Sequence, residues 1–384
     1  MKKILLKVLS YVLVAAITSG TTVVCFLLAQ RNNSTKLWEV ETLLSRYFIG
    51  DVDQSKLEDA AASAMVSALG DRWSYYMTAE EYKIYQDTMS NSYVGVGITI
   101  QPRQDGNGFD ILSVTEGAPA QEAGMQAGDI LIAVDGIDVR DLDTSGLSAL
   151  TRGEENTSVQ LTVQRGTEEK TFTVTRKKFQ TPVATYKMLE GNIGLITIEN
   201  FDQRCASETI AAIEALTNQG TTALIFDVRN NPGGYKDEMI KVLDYLLPEG
   251  PLFRSEDYRG KTKVEYSDKN CLGIPMAVIV NLRSYSAAEF FAAALNEFDA
   301  AIIVGEKTFG KGYFQTTIPL SDGSAINLSI GKYTTGKGVS LVGTGLTPEV
   351  EIPVDAATAA KILAGTMPAE EDPQIIAAIN ALTS

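Results

Sequence analysis

The pattern of apolar positions changes character several times along the chain. Val8 to Ala29 carries no charge and is mostly apolar, long enough to span a bilayer as a helix. From Lys36 to about Ser90 the spacing is helical. Leu37, Val40, Leu43, Leu44 and Phe48 share one face, as do Leu57, Ala61, Met65 and Leu69, with Asp53 or Ser55 as N-cap and Gly70 as stop. From Ser92 to Lys178 the period shortens to that of strands. These run over Tyr93–Ile100, Phe109–Val114, Val159–Gln164 and Lys170–Thr175, with a short helix over Thr144–Leu150. Beyond Val183 short, wholly apolar runs alternate with helices: Ile193–Ile198, Ala206–Asn218, Ala223–Val228, Met276–Val280, Ala287–Phe298 and Ala301–Val304. Runs of this kind predict strands buried on both faces, hence an α/β (α+β) mixed-sheet core. The last helix, Asp372–Leu382, is amphipathic and is expected to pack on the helical N-terminal region.

One stretch concentrates the candidate chemistry. After the strand Met276–Val280, the turn Asn281-Leu282-Arg283-Ser284-Tyr285-Ser286 leads into a helix whose apolar face is Phe290, Phe291, Ala294, Leu295 and Phe298. Ser286 therefore stands where a strand becomes a helix, with the Ala287 N–H in the first helical turn. Such a turn exposes a hydroxyl and aims unpaired N–H groups at a developing oxyanion. Downstream, Gly305-Glu306-Lys307-Thr308-Phe309-Gly310-Lys311-Gly312 sets Lys311 between two glycines. Gln315 is expected on the same strand face as Lys311. The commoner reading of such spacing is a serine that merely N-caps a helix and a solvated loop lysine.

Composition narrows the chemistry. The 384 residues include no histidine, which excludes a Ser-His-Asp triad, a Cys-His pair and an HExxH zinc site. A nucleophilic Ser286 needs another base, and a lysine whose pKa is lowered by burial to about 7–8 can serve. The net charge of −15 argues against nucleic acid or anionic lipid as the main partner. Of three cysteines only Cys205 and Cys271 lie beyond the apolar N-terminal segment, and neither a metal site nor another cofactor is implied.

Asn281-Leu282-Arg283-Ser284-Tyr285-Ser286-Ala287-Ala288-Glu289 resembles the nucleophile segment of the carboxyl-terminal processing peptidases, family S41. Thr308-Phe309-Gly310-Lys311-Gly312, with Gln315, resembles that family's general-base segment. The resemblance implies Ser286 as nucleophile, Lys311 as general base and Gln315 as the group orienting it. Asp227-Val228-Arg229-Asn230-Asn231-Pro232-Gly233-Gly234 is similar to the family's "D-L-R-x-N-P-G-G", which assigns the Gly233 N–H to an oxyanion hole beside that of Ala287. Asp71-Arg72-Trp73-Ser74-Tyr75-Tyr76 resembles its "D-x-x-S-x-Y" turn. Tyr285 and Ala288 depart from the usual pattern, where small or hydroxyl residues are more common. Glu289 reads as structural rather than catalytic.

Residues 91–178 resemble a PDZ domain. Gly95-Val96-Gly97-Ile98 occupies its carboxylate-binding loop, where successive N–H groups converge on a terminal carboxylate. The turn at Arg152–Asn156 lacks the family's usual second glycine. The expected organisation is a cytoplasmic lead (1–7), a transmembrane signal anchor (8–29), a helical region (36–90), the PDZ domain, a peptidase core (179–352) and a C-terminal helical region (353–384). Lys2, Lys3 and Lys7 outnumber Arg31 and Lys36 across the apolar segment, which places the bulk of the chain outside the cell membrane. The implied function is a membrane-anchored serine endopeptidase using a Ser-Lys dyad, acting on proteins or peptides with accessible C-termini. The alternative is an inactive peptide-binding scaffold on the same fold. A homodimer is left open.

Overall fold

The computed structural model describes residues 14–15, 17–22, 36–103 and 105–383. Most of the expected anchor therefore lies outside the described residues. Its described part, 14–15 and 17–22, is helical. Among the described residues, no helix is long and apolar enough to cross a membrane.

The chain divides into two units, Met1–Thr78 with Pro319–Asn327, and Ala79–Ile318 with Leu328–Ser384. In the first, helix α1 spans Lys36–Tyr47 and α2 spans Gln54–Ser67. Asp53 caps α2 by accepting from the Lys56 N–H at 3.2 Å, and Gly70, at φ +69°, ends it. The Asp71–Tyr76 turn is tied internally, since Ser74 Oγ donates to Asp71 Oδ2 at 2.6 Å. Strand β1, Tyr75–Met77, pairs antiparallel with residues 325–327.

The second unit opens on α3 (Ala79–Met89) and β2 (Ser92–Gly95). The elements β3 (Ile98–Pro102), β4 (Phe109–Val114), α4 (Pro119–Glu122), β5 (Ile130–Val134), β6 (Ile137–Asp138), α5 (Thr144–Thr151), β7 (Ser158–Arg165) and β8 (Glu168–Thr175) follow. The sheet order is β3-β4-β5-β7-β8, with β6 on β5, around a core of Phe109, Ile111, Leu131, Leu147 and Leu161. Strand β9 (Lys177–Gln180) leaves this domain and pairs antiparallel with β2. The stretch expected as one strand, Tyr93–Ile100, is thus two strands in different sheets, broken where Gly97 adopts φ +80°. Asn156, at φ +67°, fills the left-handed position in the 152–156 turn that a glycine would otherwise take. Buried Arg176 caps the end of α5, donating to the Leu150 and Thr151 carbonyls at 3.2 and 2.8 Å.

The core comprises β10 (Ala184–Leu189), β11 (Ile193–Ile198), α6 (Cys205–Asn218), β12 (Ala223–Asp227), α7 (Lys236–Leu246), β13 (Gly250–Asp257), β14 (Thr262–Ser267), β15 (Met276–Val280), α8 (Ala287–Glu297), β16 (Ala301–Gly305), β17 (Tyr313–Pro319), β18 (Ala325–Thr335), β19 (Val350–Glu351), α9 (Ala356–Leu363) and α10 (Pro373–Thr383). Its main sheet runs β10-β11-β12-β15-β16-β19, parallel except for β10. Alternation splits each strand between two cores. Leu224, Phe226, Val278 and Val280 face helices α6, α7 and α8, whereas Ile225, Ala277 and Ile279 face Ile375 and Ala378 of α10. The amphipathic C-terminal helix thus buries this second sheet face.

Beyond the end of β12, Arg229 is buried and bidentate on Asp227, at 2.9 and 2.5 Å, and pairs with Asp372 at 2.8 Å. It also donates to Gln374 Oε1 at 3.0 Å, which ties the start of α10 to the turn after β12. Burial works against this charge, but Asp227 and Asp372 outweigh it and raise the guanidinium pKa above its ordinary value. Arg229→Ala leaves two buried carboxylates without their counter-ion. It is expected to lower stability by about 3–5 kcal/mol, measured by urea denaturation, with Arg229→Lys recovering only part.

Candidate active site

Strands β12, β15 and β16 are parallel neighbours, so the turns that leave their C-terminal ends converge, the usual place for a site in such sheets. After β15, Asn281 and Ser284 fold the turn. Asn281 Oδ1 accepts from the Arg283 and Asn230 N–H groups, both at 3.0 Å, and buried Ser284 Oγ donates to the Val228 carbonyl at 2.7 Å. Ser286 then takes φ +58°, ψ −126°, outside the regions open to ordinary L-residues, before α8 begins at Ala287. Such a bend sets the nucleophile candidate at the head of a helix, with only 7% of its surface exposed.

Gly233 lies directly against this bend. A Cβ there would come within 2.7 Å of Ser286 Cβ and 2.9 Å of the Ala287 nitrogen, and φ is +90°, so only glycine fits. Gly233 and Ala287, the two residues expected to donate to an oxyanion, therefore lie side by side. The Gly233 N–H is at present held by Asn231 Oδ1 at 2.8 Å. Fully buried Asn231 is itself fixed, donating to the Ile198 carbonyl at 2.8 Å and accepting from the Tyr285 N–H at 3.1 Å.

Lys311 does not lie on a strand. Strand β17 begins only at Tyr313, so the alternation expected to align Lys311 with Gln315 does not apply. The Lys311 Nζ stands over the Tyr285 ring, 5.8 Å from its centroid. Gln315 Nε2 donates to Ser329 Oγ at 3.0 Å and to the Tyr313 carbonyl at 3.2 Å. Tyr285, a departure from the familiar motif, also packs on Phe309 with ring centroids 5.6 Å apart.

The residue that organises the site is Glu289. Its side chain is wholly buried and accepts four hydrogen bonds. Oε1 takes Thr308 Oγ1 and the Gly310 N–H, each at 2.6 Å. Oε2 takes the Ser286 N–H at 3.1 Å and the Lys311 N–H at 2.9 Å. One carboxylate thus holds the nucleophile bend and the lysine loop together. Sequence reasoning saw only a glutamate three residues into a helix. The S-x-x-E spacing of a capping box was the available signal, and it reveals the bond to Ser286 but not the reach to the lysine loop.

In the PDZ loop, the Val96 carbonyl accepts from Ala120 N–H at 2.8 Å and the Gly97 carbonyl from Thr115 N–H at 2.9 Å. A trans peptide sets its C=O and N–H on opposite sides, so the Gly97 and Ile98 N–H groups turn away from those partners. Gly97 is required here, since a Cβ would meet Ala118 Cβ at 2.2 Å. Gly95 pairs with Lys177 in the β2–β9 ribbon, and β3, which follows the loop, is an edge strand.

Residues 192–352 match the family model described as Peptidase family S41, and residues 111–165 match a PDZ domain model. The chain carries an S41 peptidase domain with a PDZ domain. A relative from Staphylococcus aureus (strain COL), "Probable CtpA-like serine protease", is 32% identical over 326 residues, covering 84% of this chain and 65% of the relative. A relative of the same name from Staphylococcus epidermidis is 33% identical over 327 residues, covering 84% and 66%. The chain thus spans just under two thirds of the length of these relatives. Among solved structures, a photosystem II D1 C-terminal processing protease aligns with a TM-score of 0.51 at 26% identity, over 89% of this chain and 94% of that one. A "Putative S41 protease" from Bacteroides fragilis aligns at 0.62 with 16% identity, over 84% and 90%, and shares the fold.

The four bonds to Glu289 give a direct test within the S41 domain. Burial raises the carboxyl pKa and outweighs the hydrogen bonds from Thr308, Gly310, Lys311 and Ser286 that lower it. A raised pKa favours proton uptake by the folded form. That stabilisation is complete below the unfolded value and lost as pH rises through the raised one, so at neutral pH the carboxylate is a net cost to folding. Glu289→Gln removes the cost but turns an NH₂ donor toward N–H donors. The variant is expected to stay folded by circular dichroism while kcat/KM against an unfolded protein falls about 100-fold, the scale of a misplaced reacting group.

Proposed function

We propose that this chain is a membrane-anchored, extracytoplasmic serine endopeptidase that engages substrate C-termini through its PDZ domain. Ser286 Oγ attacks the scissile carbonyl while Lys311 Nζ, neutral at rest, takes the hydroxyl proton. The Ala287 N–H, joined by that of Gly233 once it leaves Asn231, stabilises the oxyanion. On collapse of the tetrahedral species the C–N bond breaks and Lys311 returns the proton to the leaving amine. Water then hydrolyses the acyl-enzyme by the same proton relay in reverse.

The observation that carries this reading is the single Glu289 carboxylate bonded to both the Ser286 and the Lys311 backbone. It supports a dyad because a binding scaffold has no need to lock a strained serine to a lysine loop. The competing scaffold reading draws on the Gly233 N–H, which is occupied by Asn231. The anchor follows from the uncharged run Val8–Ala29 and its basic flank, and the extracytoplasmic location from the same asymmetry.

Lys311→Arg separates the two readings, because guanidinium stays protonated and cannot accept the serine proton. Cleavage of an unfolded protein, followed by mass spectrometry, is expected to fall to background in Lys311→Arg and in Ser286→Ala, with both variants folded. Near-wild-type turnover in Lys311→Arg would rule out the Ser-Lys mechanism. Absence of cleavage by the wild-type chain would favour the scaffold.

For the PDZ domain the expectation concerns the substrate terminus. Amidating a peptide's C-terminus removes the anion offered to the Gly97 and Ile98 N–H groups. The amide should be cut more slowly than the free acid by the full-length chain, and equal rates would remove the C-terminus from recognition.

A further inference from the structure

The PDZ domain is joined to the core through the β2–β9 ribbon, and Asn91 stands at the foot of that ribbon. It is a non-glycine residue at φ +46° and only 4% exposed. Its backbone carbonyl accepts from the Thr181 N–H at 3.1 Å, which closes the ribbon just outside β9. Its side chain leaves the ribbon altogether. Asn91 Nδ2 donates to Asp202 Oδ2 at 2.8 Å and to Asn200 Oδ1 at 3.0 Å, while Asn200 Nδ2 donates back to Asn91 Oδ1 at 2.8 Å. Asp202 is buried and held from the other side by the Arg204 N–H at 2.7 Å and by its guanidinium at 3.1 Å.

Between Asn200 and Asp202 lies Phe201, fully buried, and Phe201 is bonded to the oxyanion turn. Its N–H donates to the Gly233 carbonyl at 2.8 Å, and its carbonyl accepts from the Tyr235 N–H at 2.6 Å. Gly234 passes so close that a Cβ would lie 2.4 Å from the Phe201 carbonyl oxygen. Gly233 in turn touches Ser286 and Ala287. Three consecutive residues, two of them clamped by one asparagine, therefore connect the PDZ stem to the residue whose N–H must be aimed at the oxyanion.

We propose that Asn91 is a positioning residue that couples C-terminal peptide binding in the PDZ domain to the setting of the Gly233 turn. A shift of the ribbon moves the Asn91 amide. The amide carries Asn200 and Asp202, and the Phe201 N–H and carbonyl draw residues 233–235 with them. Because packed, hydrogen-bonded segments switch between discrete arrangements, this linkage acts on whether the Gly233 N–H lies on Asn231 or is released to the oxyanion. The inference rests on the peptidase reading for its catalytic consequence, but not for the movement itself.

The test uses the full-length chain and Asn91→Gly, which keeps the left-handed backbone and removes only the amide. The probe is one short peptide with an apolar C-terminal residue, as free acid and as amide. In the wild type, binding of the free acid should slow hydrogen exchange at the Phe201 and Tyr235 amides and raise kcat about tenfold over the amide, within the usual range of coupling between sites. In Asn91→Gly the exchange response should vanish and the ratio approach one, while Kd for the free acid stays within about twofold of wild type. Asn200→Ala, which removes the reciprocal bonds, should act in the same direction and serves if Asn91→Gly does not fold. Retention of the wild-type ratio and exchange response in the variants would overturn the proposal. So would loss of peptide affinity, because the effect would then be binding. An exchange response in a wild-type chain that cleaves neither peptide would leave the coupling standing and refute the peptidase reading.

Discussion

The corner that holds Ser286 and Lys311 depends on one buried carboxylate accepting four hydrogen bonds. Glu289 lies on α8, and its donors come from the bend before that helix and from the loop after β16. Neither segment has regular structure of its own to hold it. The lysine loop contains Gly310 and Gly312, which gain conformational freedom more than rigidity. Hydrogen bonds to a charged acceptor contribute roughly 1.5–3 kcal/mol each, and four of them on one group set the relative placement of two turns more tightly than apolar contact would. The raised pKa shows that burial still dominates. A charge retained under those conditions is better explained by the geometry it imposes than by the stability it adds.

Around that clamp, the strained serine is tolerated because its surroundings over-determine it. Ser284, two residues earlier, is bonded to the end of β12, and Tyr285, one residue earlier, donates to the Asn231 carbonyl. Ser286 donates to Glu289. Gly233 fills the concave side of the bend, where no side chain has room. The Ser284 and Tyr285 bonds join neighbouring parallel strands at their C-terminal ends, so the sheet's own register delivers the parts to one place. The Arg229 ion pairs extend the same logic to the opposite face, where α10 is tied to the turn that carries Gly233.

Much of this was legible in the sequence because it is encoded locally. The apolar runs of β12, β15 and β16 are short and continuous, and a turn rich in Asn, Ser or Gly follows each. The absence of histidine directed attention to Lys311 as the base candidate. What escaped was non-local. The stretch Tyr93–Ile100 alternates as a single strand would, and only its two different partners, Lys177–Gln180 and Phe109–Val114, divide it. Lys311 and Gln315 share a parity, but parity has meaning only within a strand, and β17 starts at Tyr313. The face that α10 covers could not be read from its own amphipathicity, since that pattern states that something is buried and not what buries it.

An inserted domain whose entry and exit strands pair with each other is attached at one place, and whatever it senses must pass through that place. Here both strands are fastened to the same stretch of core. Asn91, on entry, is bonded to Asn200 and Asp202. On exit, Arg204 Nη2 donates to the Thr181 carbonyl at 2.9 Å, and Glu208 Oε2 accepts from the Val183 N–H at 2.6 Å and the Ala184 N–H at 3.2 Å. Arg204 and Glu208 pair with each other at 2.6 Å, one helical turn apart at the head of α6. The loop between β11 and α6 is thus the common anchorage of the PDZ stem, and Phe201 within it is bonded directly to the Gly233 turn. Had the stem been anchored on α6 alone, a rigid helix would separate it from the turns that carry Gly233 and Ser286. Anchored on a loop that forms a β-bridge with Gly234, it lies one hydrogen-bonded segment away from Gly233, the proposed oxyanion donor.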